Sequence, residues 1–200
     1  MKNRINVYLL GLISVLALSG CGNEIGGSGQ CGGAGDSGAC VKVESITPTD
    51  TTNVDAFRTT TDCNADGTAD DPEPFTDHNA TVSISNTIVP NFPGDILPDV
   101  TLTNFRIEYR LNFCPAGFSC PNLISVNVSE TLFIPADGSL TADIKFVDLE
   151  KKFEFQGGVS SPSVYPSYSA TYTFTGTDIF QNNISVSGST EFTIGDYDNC

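Results

Sequence analysis

The chain has 200 residues, of which 39% are hydrophobic and 16% charged, and its formal net charge at pH 7 is −15. Such an acidic chain repels phosphate groups, which argues against a nucleic-acid partner and against direct binding to anionic head groups without a bridging cation. The hydrophobic share argues against a disordered acidic tail, and the abundance of Thr, Val, Ile and Phe favours strands over helices.

A secretory signal is predicted at the N-terminus. Lys2 and Arg4 precede an uncharged apolar run from Ile5 to Leu18, which ends in small residues. A positive flank, a short apolar core and small residues before a cut are typical of signal peptides. The core is shorter than the roughly 20 apolar residues that span a bilayer. We therefore predict a signal peptide over residues 1–20.

The segment Leu18-Ser19-Gly20-Cys21 resembles the lipobox of bacterial lipoproteins. The resemblance implies cleavage before Cys21, a diacylglycerol on its sulfur and a further acyl chain such as palmitate on its amine. Two or more acyl chains hold a protein firmly on a membrane without a spanning helix. Gly22 stands where an aspartate would signal inner-membrane retention, so the resemblance implies an outer-membrane anchor facing the periplasm or the cell surface. The alternative is a plain signal peptide followed by a chance cysteine.

Residues 21–40 are rich in Gly and Ser and predict a flexible tether behind the lipidated cysteine. Cleavage removes two basic residues and no acidic one, so the mature chain carries a net charge of about −17.

Six cysteines remain once Cys21 is assigned to lipid. They are Cys31, Cys40, Cys63, Cys114, Cys120 and Cys200. An even set in an oxidising compartment predicts up to three disulfides. We predict the pair Cys114–Cys120, which closes a short loop between two predicted strands, and leave the pairing of the other four open. A zinc site is the rival interpretation, but the chain has one histidine and no Cys-x2-Cys spacing.

Residues 62–73 carry oxygen side chains at the intervals of a calcium-binding loop. The predicted ligands are Asp62, Asn64, Asp66, the Thr68 carbonyl, Asp70 and Glu73, with Gly67 at the sharp turn. The spacing resembles the loops of EF-hand and dockerin proteins. Pro72 and Pro74 exclude an ordinary exiting helix, so we expect a lone calcium loop with a dissociation constant of roughly 10⁻⁴–10⁻³ M. The alternative is a solvated turn rich in Asp and Asn.

Residues 41–200 are predicted to form one β-rich domain. The clearest alternation puts Phe105, Ile107, Tyr109 and Leu111 on one face, as in a half-buried strand. Strands are predicted over 41–46, 54–60, 80–86, 105–111, 124–128, 132–134, 140–146, 168–174 and 184–194. Residues 147–155 fit either a helical turn or a strand edge, and no segment gives a convincing amphipathic helix.

Seven to nine short strands separated by frequent turns predict an all-β fold, an antiparallel β-sandwich. The last predicted hairpin, within residues 171–190, resembles the closing hairpin of immunoglobulin-like extracellular domains. An up-and-down barrel is the structural alternative.

The sequence therefore predicts a non-catalytic, lipid-anchored structural or interaction module of the cell envelope, with an envelope protein or a glycan as partner. The alternative is a calcium-dependent polysaccharide-binding module with Tyr165, Tyr168 and Phe118 as an aromatic platform. An enzyme ranks third because the sequence presents no nucleophile–base signature and no closed set of metal ligands.

Overall fold

The structure is a computed structural model that describes residues 31, 38–49, 51–62, 65–69, 71–88 and 97–197. The predicted signal peptide, Cys21 and most of the predicted tether lie outside these residues. Within the described ranges, no helix combines the length and the apolar character that crossing a membrane requires.

The described residues form ten strands and one helix. In chain order these are β1 (Ala39–Pro48), β2 (Asn53–Asp55), β3 (Thr60–Thr61), β4 (Asp71–Pro72), β5 (His78–Ile88), β6 (Val100–Phe113), β7 (Val126–Ile134), β8 (Gly138–Val147), α1 (Leu149–Gly158), β9 (Ser167–Asp178) and β10 (Asn183–Gly195).

The strands make two facing sheets and a small separate hairpin. One sheet has the order β1-β5-β8, the other has the order β2-β10-β9-β6-β7, and β3 pairs only with β4. Apart from β2, this is the order of strands A-B-E and G-F-C-C′ in immunoglobulin-like sandwiches. The predicted all-β sandwich is therefore confirmed. The prediction of purely antiparallel sheets is wrong at one place, because β2 runs parallel to β10.

The predicted alternation in β6 is confirmed. Phe105, Ile107 and Tyr109 are buried between the sheets, whereas Arg106 and Glu108 face solvent. Successive side chains of a strand point to opposite faces of its sheet, so the apolar residues on one face can form the core while the polar residues on the other face remain exposed to solvent.

The seven main strands are longer than the sequence predicted, whereas the predicted strand over 54–60 is replaced by the short strands β2 and β3. Seven of the ten have nine residues or more, and the other three have two or three. Two predicted strands, over 124–128 and 132–134, are one strand, β7. The polar residues from Ser129 to Thr131 hid this continuity, because β7 is the edge strand of its sheet and its pairing with β6 does not require an apolar side chain at every second position.

The ambiguous segment after β8 is the helix α1. Asp148 caps its N-terminus, accepting a hydrogen bond from the Lys151 backbone N–H at 2.9 Å. The buried face of α1 carries Lys151, Lys152 and Phe155, so the helix lacks the apolar stripe by which amphipathic helices are recognised. Burial alone would raise the pKa of Asp148, but hydrogen bonds from Lys145 and the Lys151 amide hold this pKa below its usual value.

Gly176 in β9 lies against an irregularity in β6, where the register shifts between Leu102 and Asn104. A Cβ atom at Gly176 would overlap the carbonyl oxygen of Thr101 and lie 2.5 Å from the Leu102 Cα, and neither backbone atom can turn aside. We therefore expect Gly176→Ala to lower the free energy of unfolding by about 1–3 kcal/mol, measured by urea denaturation.

Gly157→Ala in α1 is the matched control for this substitution, because a Cβ at Gly157 would meet no atom within 4 Å. Replacing a helical glycine by alanine in open space should stabilise by up to about 1 kcal/mol. Equal effects of the two substitutions would contradict the steric account of Gly176.

Candidate functional site

Three acidic residues from distant parts of the chain converge at one edge of the sandwich. One carboxylate oxygen from each of Asp55, Glu73 and Asp196 lies within 4.8 Å of the others. We call these three residues the acid cluster. Among the described residues, no other group of three or more histidine, cysteine or acidic side chains has ligand atoms close enough to share a metal ion.

Strand pairing brings the acid cluster together. The parallel pairing of β2 with β10 sets Asp55 beside Gly195, so Asp196 follows at the same edge. The β3–β4 hairpin sets Glu73 opposite Thr59, whose carbonyl oxygen accepts the Glu73 backbone N–H at 3.5 Å. Two backbone pairings of different kinds therefore deliver the three carboxylates to one place.

The acid cluster is poorly supplied with hydrogen-bond donors. Asp55 Oδ1 accepts the backbone N–H groups of Phe57 at 3.1 Å and Tyr197 at 3.3 Å. Thr59 Oγ1 lies 2.8 Å from Glu73 Oε2 and 3.3 Å from Asp196 Oδ1, but one hydroxyl carries a single proton. Of the other three oxygens in the acid cluster, Asp55 Oδ2 and Glu73 Oε1 are buried and accept no hydrogen bond within the described structure.

Burial and like charge make the acid cluster electrostatically costly. Asp55 is 1% exposed and Glu73 is 5% exposed. Burial raises the pKa of Asp55 above its usual value, and the charge of Glu73 adds to the rise. The backbone N–H groups of Phe57 and Tyr197, and the charge of Lys152, oppose it without cancelling it.

Lys152 is a buried residue whose positive charge lowers the pKa of Asp55 in the acid cluster. Its side chain is fully buried, and its Nζ lies 4.6 Å from the centre of the Phe75 ring, with no hydrogen-bond acceptor in the described part of the chain. Burial lowers the pKa of Lys152, while the charges of Asp55 and Asp77 act in the opposite direction. Lys152 therefore offsets the charge of the acid cluster from a distance and does not bond to it.

The predicted calcium loop is only partly described, because Asn64 and Asp70 lie outside the described residues. Asp62 accepts the backbone N–H groups of Asp66 and Gly67, each at 2.9 Å, and Asp66 accepts that of Thr68 at 2.8 Å. The Asp62 and Asp66 carboxylates therefore stabilise the turn by accepting hydrogen bonds from backbone amides of the same turn. Glu73, the predicted twelfth-position ligand, joins Asp55 and Asp196. Calcium binding by the loop stays a prediction.

Sequence reasoning missed Asp55 and Asp196. They are 141 positions apart, so no local spacing connects them. One local signal existed, since Asp55 stands inside the otherwise apolar run Val54-Asp55-Ala56-Phe57. A carboxylate in such a run is costly to bury without a partner, and it points to a specific role.

Two cysteine pairs lie at disulfide distance. The Sγ atoms of Cys114 and Cys120, the pair favoured from the sequence, are 2.04 Å apart, with Cα atoms 6.0 Å apart. Cys31 is paired with Cys40, whose Cα lies 4.6 Å away. Cys40 belongs to β1, so this bond joins the predicted tether to the sandwich. Cys63 and Cys200 lie outside the described residues.

The predicted aromatic platform is wrong in one member. Tyr168 is buried in the core, where its ring stacks on Phe192 at 5.6 Å. Tyr168 shares its buried face of β9 with Ala170, Tyr172 and Phe174, so it has the core-packing role that is the usual alternative to a glycan platform. A different aromatic group lines a pocket of about 320 Å³, and its members are Phe57, Phe75 and Phe153, together with Arg58 and Gln156.

Comparisons of the chain with protein-family models, with curated proteins and with solved structures find no match.

A test of the electrostatic account is Asp55→Asn with divalent cations chelated. We expect the variant to be more stable than wild type at neutral pH, because it removes a buried charge and keeps the Oδ1 acceptor for Phe57 and Tyr197. The pKa of Asp55 is raised on folding, so wild-type stability should fall as pH rises from about 3.8 through the folded-state pKa. Asp55→Asn should lack that fall.

The measurement is urea denaturation across a pH series. Asp66→Asn makes the same substitution at an exposed position and controls for the loss of one negative charge. A pH profile of Asp55→Asn identical to that of wild type would contradict the account.

Proposed function

We propose that this chain is an exported lipoprotein of the cell envelope, held on the outer membrane by acylated Cys21 and acting as a non-catalytic structural or interaction module. The observation that carries the proposal is the lipobox followed by a β-sandwich whose first strand is cross-linked to the tether. Two cysteine pairs at disulfide distance support export, because such bonds persist in oxidising compartments.

The Cys31–Cys40 bond limits how far the domain can stand from the membrane. Between the lipidated residue and the first cross-link there are ten residue steps, which extend to at most about 35 Å. The domain is strongly acidic, so anionic head groups repel it while the lipid holds it near. A partner in the same membrane, or in the layer directly next to it, is therefore within reach.

A non-catalytic role agrees with the character of the acid cluster. Two of its three carboxylates are almost fully buried, so a substrate cannot reach them from solvent.

The anchor is tested by comparing wild type with Cys21→Ser in cells labelled with a fatty acid. We expect wild type to carry the label and to enter the detergent-rich phase on phase separation, whereas Cys21→Ser remains unlabelled and aqueous. Cys31→Ser, which removes a neighbouring cysteine, should behave as wild type in both assays. An unlabelled wild-type chain in the soluble cell fraction would overturn the proposal.

The same preparation allows a count of free thiols. With Cys21 acylated and the other cysteines paired, the denatured and unreduced protein should have no free thiol, although the chain contains seven cysteines. If no cysteine is free, Cys63→Ser should release one thiol, and mapping that thiol would identify the partner of Cys63.

A second candidate function, calcium-dependent polysaccharide binding, is favoured by the pocket of Phe57, Phe75 and Phe153. Phe75 and Phe153 pack 5.7 Å apart, and Phe153 is 57% exposed, which leaves ring surface available to a sugar. Arg58 lies 5.3 Å above the Phe75 ring and supplies hydrogen-bond donors at the same pocket.

Glycan-array binding tests this candidate. We expect Phe153→Ala to abolish binding, because the pocket loses its most exposed ring. Phe133→Ala, an equally exposed phenylalanine on the edge strand β7, should leave binding unchanged. No wild-type binding, or binding that survives Phe153→Ala, would remove polysaccharide recognition at this pocket.

A further inference from the structure

We propose that Asp55, Glu73 and Asp196 bind a divalent cation of the calcium type and so fasten three separate parts of the chain together. This site shares only Glu73 with the loop predicted from the sequence. It does not depend on the lipid anchor or on the proposed envelope role.

The spacing of the oxygens fits a calcium ion. One oxygen from each carboxylate lies within 4.8 Å of the others. Calcium binds oxygen at about 2.3–2.6 Å, so two ligands on opposite sides of the ion are about 4.8 Å apart. Three carboxylates supply three to six of the six to eight oxygens that calcium takes, and the Thr59 hydroxyl and water are suited to complete the set.

The second and independent observation is the orphaned state of two buried oxygens. Asp55 Oδ2 and Glu73 Oε1 accept no hydrogen bond in the described structure, and both side chains are more than nine-tenths buried. An ionised carboxylate oxygen without a partner costs several kcal/mol to bury. Folded proteins avoid that cost by supplying a donor, a proton or a cation, and no donor among the described residues reaches these two oxygens.

The charge balance favours a divalent ion over a monovalent one. When ionised, the acid cluster carries three negative charges, and Lys152, whose charge also acts on Asp77, offsets at most one of them. A residual charge of about two matches calcium. Protonation of Asp55 is the competing solution, and it would relieve one charge only.

Binding would have a clear structural effect. Asp55 ends β2, Glu73 follows the β3–β4 hairpin and Asp196 follows β10, so an ion would link the short edge strand and the small hairpin to the last long strand of the sandwich. In the described structure the hairpin pairs with neither large sheet, so the ion would add a direct link between the hairpin and β10.

Calcium-dependent melting of the purified full chain tests the proposal. After chelation, calcium added to roughly 10 mM should raise the melting midpoint by roughly 5–10 °C if it exceeds the dissociation constant about a hundredfold. Asp55→Asn and Asp196→Asn should each lose this shift. Asp62→Asn and Asp66→Asn, which alter only the predicted loop, should keep it.

Terbium luminescence gives a second readout that does not depend on how stable each variant is. Terbium replaces calcium in oxygen sites and is excited by energy transfer from a nearby tyrosine, and this chain has no tryptophan to interfere. The Tyr197 amide contacts Asp55, and its ring packs 5.0 Å from that of Tyr165. Sensitised emission is expected in wild type, and it should fall in Tyr197→Phe and vanish in Asp196→Asn.

Three results would overturn the proposal. The first is a wild-type protein with neither a melting shift nor sensitised emission. The second is a shift that survives both Asp55→Asn and Asp196→Asn. The third is a shift lost in Asp62→Asn and Asp66→Asn but kept in the cluster variants, which would assign the ion to the loop. If Asp55→Asn fails to fold by circular dichroism, Asp196→Asn alone decides, because Asp196 is only half-buried.

Discussion

Face-to-face packing of the two sheets around an aromatic core is the interaction on which the rest of the molecule depends. Phe146 from the first sheet packs edge-on against Phe192 from the second at 5.0 Å, and Phe105 and Phe174 pack at 5.4 Å on neighbouring strands. Buried aromatic rings of this kind account for much of the free energy that a sandwich gains on folding. The chain has no tryptophan and neither described disulfide joins the two sheets, so phenylalanine and tyrosine rings hold the sheets together with the buried Val, Ile and Leu side chains.

The same packing explains why polar chemistry collects at one edge. Tyrosines inside the sandwich use their hydroxyls to satisfy backbone carbonyls of β8, as Tyr172 does with Lys145 at 3.0 Å. At the edge, however, β2 is only three residues long and ends at Asp55, where the chain leaves the sheet. Carboxylates can lie there because the backbone leaves the sheet after Asp55, and the neighbouring parts of the sandwich still bury Asp55 and Glu73.

The predicted tether and the acid cluster are attached to different strands of the sandwich. The tether is joined to β1 through Cys31 and Cys40, and the acid cluster is joined to β10 through Asp196. β1 and β10 belong to facing sheets. A cation at the acid cluster would stiffen the domain, which fits the proposed role of a structural module anchored at a membrane.

Local patterns in the sequence were enough to predict the all-β class, the inward face of β6 and the pair Cys114–Cys120 as the favoured cross-link. These follow from patterns that span a few neighbouring residues, such as period-two alternation and a short loop between cysteines. The sequence did not reveal the helix α1, because lysines occupy the buried face where an apolar stripe would have marked it.

The position of Glu73 beside Asp55 and Asp196 follows from the tertiary structure alone, as does the choice between core packing and a glycan platform for Tyr168. Alternation puts Tyr168 on the apolar face of β9, but the facing sheet determines whether that end of the strand is covered. The acid cluster needs the parallel pairing of β2 with β10, which joins residues 141 positions apart. Contacts between residues so far apart in sequence depend on which strands pair in the sheets, and a local pattern of side chains cannot predict that pairing.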